Sequence, residues 1–322
     1  RLSPIYVYIH IYMSATKSVL ASFVCVCVLH SAAGFLAHLP HKLANRSADA
    51  TSLRAAAADM ERLRVVQLNV KRFTDQHGKS TAEAIAEALA PLHPSLVCFN
   101  EVDMSKRPEA LELISNRLGM HAEFFGHVRG RYGNALLSRL PIVSVTHHHL
   151  RGGTEWALPA GTVKFNGDVV AKEGETHRIA RGMMSVEVLL PPSPPISRAA
   201  GEGGGEGFVF KGEEGEEGRR IRISVTHLDH MNSEQRLIQL AHISEILSPL
   251  ESDAEEGARE MEVRPHVDLL VGDMNALTRS DYSDLQWQEL ETVHESNGWS
   301  APVAGCLDTL ASHGFEDCLL KA

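Results

Sequence analysis

The chain has 322 residues, 43% of them hydrophobic and 22% charged, enough for one large α/β domain or two small ones and too apolar for global disorder. Its net charge of -10 sits in two stretches, Glu202, Glu206, Glu213, Glu214, Glu216 and Glu217 against Lys211, and Glu251, Asp253, Glu255, Glu256, Glu260 and Glu262 against Arg259. The remainder is close to neutral, which excludes the basic footprint of a strong nonspecific nucleic-acid binder but leaves room for an enzyme that uses a metal and a few local cations.

The chain opens on Arg1, and Met13 is the expected start. Lys17, the apolar run from Val19 to Leu29 and then Ser31-Ala32-Ala33 have the order of a secretory signal peptide, with a core short of the roughly 20 apolar residues of a bilayer span. The acid-poor, Ser/Arg/Ala-rich sequence that follows resembles a two-part plastid presequence; a signal anchor is the competing reading. Residues 1–62 are therefore expected to be leader and linker. Of five cysteines, Cys25 and Cys27 fall in the leader, and Cys98, Cys306 and Cys318 have no framework spacing, so free thiols are expected.

Leu63 to Val70 predicts a strand that ends at Asn69. A helix follows, with Ser80 and Glu83 spaced as a capping box and Ile85, Leu89 and Leu92 on one side. Ser95 to Asn100 is continuously apolar up to its last residue, predicts a strand buried on both faces, and delivers Glu101 at its end. Pro108 starts a second helix with the stripe Leu111, Ile114 and Leu118, and Gly119 ends it. Short strands are expected at His121 to His127, Asn134 to Leu137 and Ile142 to His148. Within His147-His148-His149 the alternation of a strand turns the middle ring away from the outer two, against a metal site.

Gly152 to Gly174 reads as a hairpin region with a tight turn at Asn166-Gly167. Ile179 to Leu190 and Arg220 to Val225 form the next strand pair. Between them, 191–218 is expected to be a disordered acidic insertion, as is 251–263 further on. A helix from Ser233 to Ser248 carries Leu237, Leu240, Ile243 and Leu247 in a stripe. Val267 to Val271 is a strand, and a last helix begins at Ser283, boxed by Gln286, with Trp287, Leu290 and His294 on one face and Gly298 beyond its end. Strands arriving in pairs among helices predict mixed sheets with helices outside, in one domain over 63–322.

Two motifs stand at strand ends: Thr226-His227-Leu228-Asp229-His230 and Gly272-Asp273-Met274-Asn275. Either alone is as well explained by turn capping as by chemistry. Joined by Asn69 and Glu101, they assemble one carboxylate in oxygen-rich company, which suits Mg²⁺, or Mn²⁺ as an alternative, with substrate phosphate completing the shell. Asp273 would orient or deprotonate the attacking water, and Asn69, Asn275 and His227 would donate to phosphate oxygens.

The motifs Gln67-Leu68-Asn69-Val70, Asn100-Glu101-Val102, Gly133-Asn134-Ala135-Leu136-Leu137-Ser138-Arg139, Arg181-Gly182, the His227 motif and Gly272-Asp273-Met274-Asn275 occur in an order that resembles the endonuclease/exonuclease/phosphatase superfamily. The stretch from Asp273 to Trp287 resembles an uncharacterised plant-type group within it. The resemblance implies an α+β fold, a four-layer α/β/β/α sandwich of the DNase I-like type. It also implies Glu101 as metal ligand, Asn69 as metal or phosphate contact, His227 as phosphate ligand, Asp273 and Asn275 in the catalytic group, and Asn134 and Arg181 as phosphate contacts. The family continues past the equivalent of Gly314-Phe315-Glu316-Asp317 into further strands and a Ser-Asp-His motif, which this sequence does not contain before Ala322. The expectation is a C-terminally truncated, impaired polypeptide. The expected activity of the family is hydrolysis of a phosphoester in nucleic acid, a phospholipid headgroup or a soluble ester, by a monomer without an obligate protein partner. A non-catalytic member that binds a phosphate ligand or a protein is the alternative.

Overall fold

The computed structural model describes residues 5–9, 25–30, 62–157, 160–161, 172, 174–190, 220–247 and 267–317. Met13, the Ser31-Ala32-Ala33 pattern, the Asn166-Gly167 turn and the acidic insertions at 191–218 and 251–263 lie outside the described residues.

The strands are β1 (Ile5–Ile9), β2 (Cys25–His30), β3 (Arg62–Asn69), β4 (Leu96–Asp103), β5 (His121–Val128), β6 (Tyr132–Ser138), β7 (Ile142–His149), β8 (Glu155–Ala157), β9 (Thr176–Arg178), β10 (Gly182–Leu189), β11 (Arg220–His227), β12 (Val267–Asp273) and β13 (Phe315–Asp317). The helices are α1 (Ala82–Leu89), α2 (Pro108–Leu118), α3 (Ser233–Leu247), α4 (Asp284–Ser296) and α5 (Cys306–Ser312). One sheet has the order β2-β3-β4-β6-β5, a second β13-β1-β12-β11-β10-β7, and β8 pairs with β9 alone. Two strands thus come from the expected leader: β2 pairs antiparallel with β3, and β1 lies parallel between β12 and β13.

Period-two alternation sorts the side chains into layers. Val65, Leu96, Cys98 and Leu136 meet Val186, Ile223, Val225 and Val271 between the sheets. Their neighbours Val66, Leu68, Val97, Phe99 and Leu137 face the other way and pack against Ala86 and Leu89 of α1 and Ala110, Ile114 and Leu118 of α2. On the far side Met183, Leu228 and Leu270 pack against Leu240, Ile243 and Leu247 of α3 and Cys306 and Leu310 of α5. These three cores separate four layers, and the expected α+β sandwich with helices outside two sheets is borne out.

Local signals fared unevenly. Pro108 opens α2, left-handed Gly119 (φ 61°) closes it, and the Ser283/Gln286 capping box forms. The Ser80/Glu83 box does not: Ser80 pairs with Thr74 in an isolated bridge, and Thr81 is the N-cap of α1 without a side-chain cap bond, so the helix begins one residue later than the box implied. Leu237 drops out of the α3 stripe, 36% exposed, while Leu240, Ile243 and Leu247 are buried. Its place in the helix turns it towards solvent, away from the sheet that its three neighbours cover. Among the described residues no helix is long and apolar enough to cross a membrane.

Candidate active site

Neighbouring strand ends supply the polar groups. Asn69 closes β3 beside Asn100 of β4, and His227 closes β11 beside Asp273 at the end of β12. Glu101 is placed differently from the sequence expectation, since β4 runs on to Asp103. The register of β4 with β6 slips between Phe99 and Val102, and Glu101 takes a left-handed φ of 59°. A bulge of this kind re-aims a side chain next to a site, and a non-glycine residue held there stores strain. Gly272 serves the neighbouring strand: its φ is 146°, and a Cβ there would lie 1.8 Å from the Thr226 carbonyl oxygen.

The five residues Asn69, Glu101, His227, Asp273 and Asn275 come together. Asn69 Nδ2 donates to Glu101 Oε1 at 3.0 Å and to Asp273 Oδ2 at 3.1 Å, so one amide joins two carboxylates. His227 Nε2 is 4.0 Å from that same Asp273 oxygen. Asn275, also left-handed (φ 47°), donates its backbone N–H to Asp273 Oδ1 at 3.1 Å and its side-chain amide to the Leu228 carbonyl at 2.9 Å. Its side-chain amide therefore ties the segment after β12 to the segment after β11.

Asn134 occupies a different place from the one its motif implied. Its side chain is buried between the sheets, donating to the Gly182 carbonyl at 3.0 Å and the Val225 carbonyl at 3.4 Å and accepting from Asn100 Nδ2 at 2.9 Å. Asn100 uses its full bonding capacity: Oδ1 accepts from Gln67 Nε2 (2.7 Å) and the Asp273 N–H (2.9 Å), and Nδ2 donates to Asn134 and to the Thr226 carbonyl (2.9 Å). This network positions Asp273 from behind. In the sequence Asn100 was visible as the polar end of an apolar strand and as part of the Asn100-Glu101-Val102 motif, without a role of its own.

On the other side of Asp273 lies a group of nitrogen donors. Arg181 is 3% exposed, and its Nη2 donates to His230 Nδ1 at 3.0 Å, which makes His230 the tautomer protonated on Nε2. Burial, and then the charge of Arg181, holds His230 below its ordinary pKa. His227 is held well below, by burial first and then by Arg181, His127 and His230. His127, from the irregular end of β5, is lowered to about 3 by burial, with Arg181 and His149 adding. All three rings are thus neutral near pH 7. The charge left is that of Arg181, which burial disfavours and which Tyr132, Asp229, Glu101 and Asp273 favour electrostatically. Gly182 allows this packing: a Cβ there would sit 2.6 Å from both His127 Cβ and Phe125 Cε1. His230 lay within a motif already singled out; His127 carried no sequence signal, being one histidine at a strand end.

With this geometry in hand, the family model described as the Endonuclease/Exonuclease/phosphatase family matches residues 66–300. The chain belongs to that family. The matched span includes every residue of the site just described, from Asn69 to Asn275. Among curated proteins nothing matches. Similar solved structures are the human Nocturnin catalytic domain with bound sulfate (18% identity, covering 67% of this chain and 64% of that one, TM-score 0.40), a mannosyl-6-phosphatase of Bacteroides thetaiotaomicron (13%, 66% and 66%, 0.40) and a humanized D. rerio TDP2 (13%, 76% and 72%, 0.37). The chain spans just under two thirds of the Nocturnin domain.

Within this family framework the donor set fits a hard divalent cation. Glu101 Oε1 and Asp273 Oδ2 both reach one amide nitrogen, so two carboxylate oxygens border the same small space. Among the described residues no three His, Cys, Asp or Glu side chains converge on a point. Two carboxylates are a sparse oxygen set of the kind a hard divalent cation takes while keeping several waters, and Asn69 turns its amide N–H towards them with its Oδ1 on the Lys71 N–H.

Proposed function

We propose that the chain hydrolyses phosphoester bonds with Mg²⁺, or Mn²⁺ in its place, using a water molecule directed by Asp273. One observation carries this reading: the buried Arg181 guanidinium, hydrogen-bonded to a neutral histidine, lies within electrostatic reach of the Glu101 and Asp273 carboxylates that Asn69 joins. The carboxylate pair suits a cation, the arginine side suits phosphate oxygens, and a metal-assisted phosphoester hydrolase needs the two side by side.

Glu101 and, with its amide turned to present Oδ1 in place of Nδ2, Asn69 would hold the ion, which when bound would polarise a phosphoryl oxygen and offset charge on the leaving oxygen. Asp273 is fixed for its task by the Asn275 N–H on Oδ1 and by Asn100 on its backbone. Its remaining oxygen orients the water and draws off its proton as the new P–O bond forms. His227, neutral, offers an N–H to a phosphoryl oxygen without spending a charge, and Arg181 offers a guanidinium that stays protonated. A preorganised donor of this kind is worth about 2.7–4 kcal/mol in the transition state. Nucleic acid, phospholipid headgroup and soluble phosphate ester are all substrates this core could serve.

The test is hydrolysis by the full chain of bis(para-nitrophenyl) phosphate and para-nitrophenyl phosphate. Nitrophenolate release that needs Mg²⁺ and stops with EDTA is expected. Metal-replete, folded protein that is silent on both esters would contradict the catalytic reading and favour a phosphate-binding module.

A further inference from the structure

His127 is 3% exposed, yet neither of its ring nitrogens has a hydrogen-bond partner. Buried polar groups are nearly always paired, and leaving one unpaired costs about 1–3 kcal/mol. The ring cannot turn away freely, because Phe125 packs edge-on at 5.9 Å and Tyr132 at 6.2 Å, while its Cβ rests against Gly182. The same region holds two further unpartnered buried nitrogens, Arg181 Nε and His227 Nδ1. His127 and His227 both feel the Arg181 charge, and Tyr132 adjoins Arg181 and Glu101 electrostatically. Four unpaired nitrogens on three neighbouring side chains, next to the carboxylate pair, have the chemistry of an oxyanion cradle.

We propose that His127 is a substrate-contacting residue that donates, together with Arg181, to a non-bridging oxygen of the phosphoryl group. This rests on the phosphoesterase reading for its substrate, but not for the anion itself. A neutral imidazole brings one N–H and one bare nitrogen, so it can donate to a phosphate oxygen and accept from a protonated one. The fixed ring makes it a positioning contact present in ground state and transition state alike. Its loss should therefore raise KM and leave kcat nearly unchanged.

The experiment uses the full chain and inorganic phosphate as the probe, followed by ³¹P NMR titration and by competitive inhibition of ester hydrolysis. His127→Phe keeps a flat ring and removes both nitrogens; His127→Asn keeps a donor of shorter reach. We expect His127→Phe to weaken phosphate about tenfold or more, as befits a hydrogen bond to a charged group, to raise KM by a similar factor, and to leave kcat within a fewfold. His127→Asn should recover part of the affinity. Folded His127→Phe protein, by near-ultraviolet dichroism, with unchanged phosphate affinity and KM overturns the proposal and leaves His127 paired with ordered water. His127-dependent phosphate binding in a wild-type chain that hydrolyses no ester would support this contact while removing the catalytic reading. An active enzyme indifferent to His127→Phe does the reverse.

Discussion

Asn100 Oδ1 accepts the backbone N–H of Asp273 at 2.9 Å, joining residues 173 positions apart on two different sheets. Because Asn100 also bonds Gln67, Asn134 and Thr226, this contact belongs to a buried network that uses all four hydrogen-bonding positions of Asn100, although Gln67 Oε1 has no partner among the described residues, rather than to an isolated pair. Asn100→Leu strands several of these groups without partners. We expect it to cost about 3 kcal/mol in urea unfolding and to lower kcat at least tenfold through displacement of Asp273. Wild-type stability with wild-type kcat would show that the network does not hold the carboxylate.

Gly182 of β10 packs directly against His127 and Phe125 of β5. Gly182→Ala places a methyl 2.6 Å from His127 Cβ and from Phe125, and overpacking of this sort costs about 1–3 kcal/mol. The expected readout is a lower urea midpoint together with a raised KM, since His127 and Arg181 shift with it. A stable variant with unaltered KM would mean that the sheets part without disturbing the site.

Acid should destabilise the fold through its buried histidines. His127 is lowered to about 3 in the folded chain, against 6.5 for an unperturbed ring. Between these values the unfolded chain binds a proton that the folded chain does not, so stability is complete above pH 6.5 and falls as pH drops below it. At about 1.36 kcal/mol per pH unit, His127 alone removes about 2 kcal/mol by pH 5. His227 is shifted in the same direction and adds to this. Urea unfolding of wild type and His127→Phe across this range checks the sign; the variant should show a shallower slope.

Ser283 offers a control away from the chemistry. Its side chain accepts the Gln286 N–H while Gln286 reaches back to the Ser283 N–H. Ser283→Ala should cost about 1 kcal/mol and leave hydrolysis unchanged. A loss of activity there would place α4 closer to substrate than the site residues indicate.

What the sequence made legible follows from how locally each feature is encoded. Strand ends carrying Asn69, His227 and Asp273 could be read because apolar runs stop where polar residues begin. Glu101 was identified, but its bulge was not, since register depends on the partner strand β6. Asn134 looked like a ligand from its motif, yet its amide serves the inter-sheet network, a contact with Gly182 and Val225 that no short window contains. His127 was missed for the same reason: its importance lies in Arg181 and His227, brought near by the packing of two sheets. Mixed sheets with helices outside were legible from strands arriving in pairs among amphipathic helices, and the four layers from the family resemblance, whereas the pairing of residues 5–9 and 25–30 into the sheets was not, because those residues read as leader.

The central claim is that Glu101 holds the cation of a phosphoesterase site in which Asp273 directs the water. The most direct test is Mg²⁺-dependent hydrolysis of bis(para-nitrophenyl) phosphate by wild type and Glu101→Gln, an isosteric change that removes the charge and keeps the shape. A fall in kcat/KM of a hundredfold or more, with the Mg²⁺ concentration for half-maximal rate pushed upwards, is the predicted result. Equal rates with an unchanged Mg²⁺ dependence would contradict it.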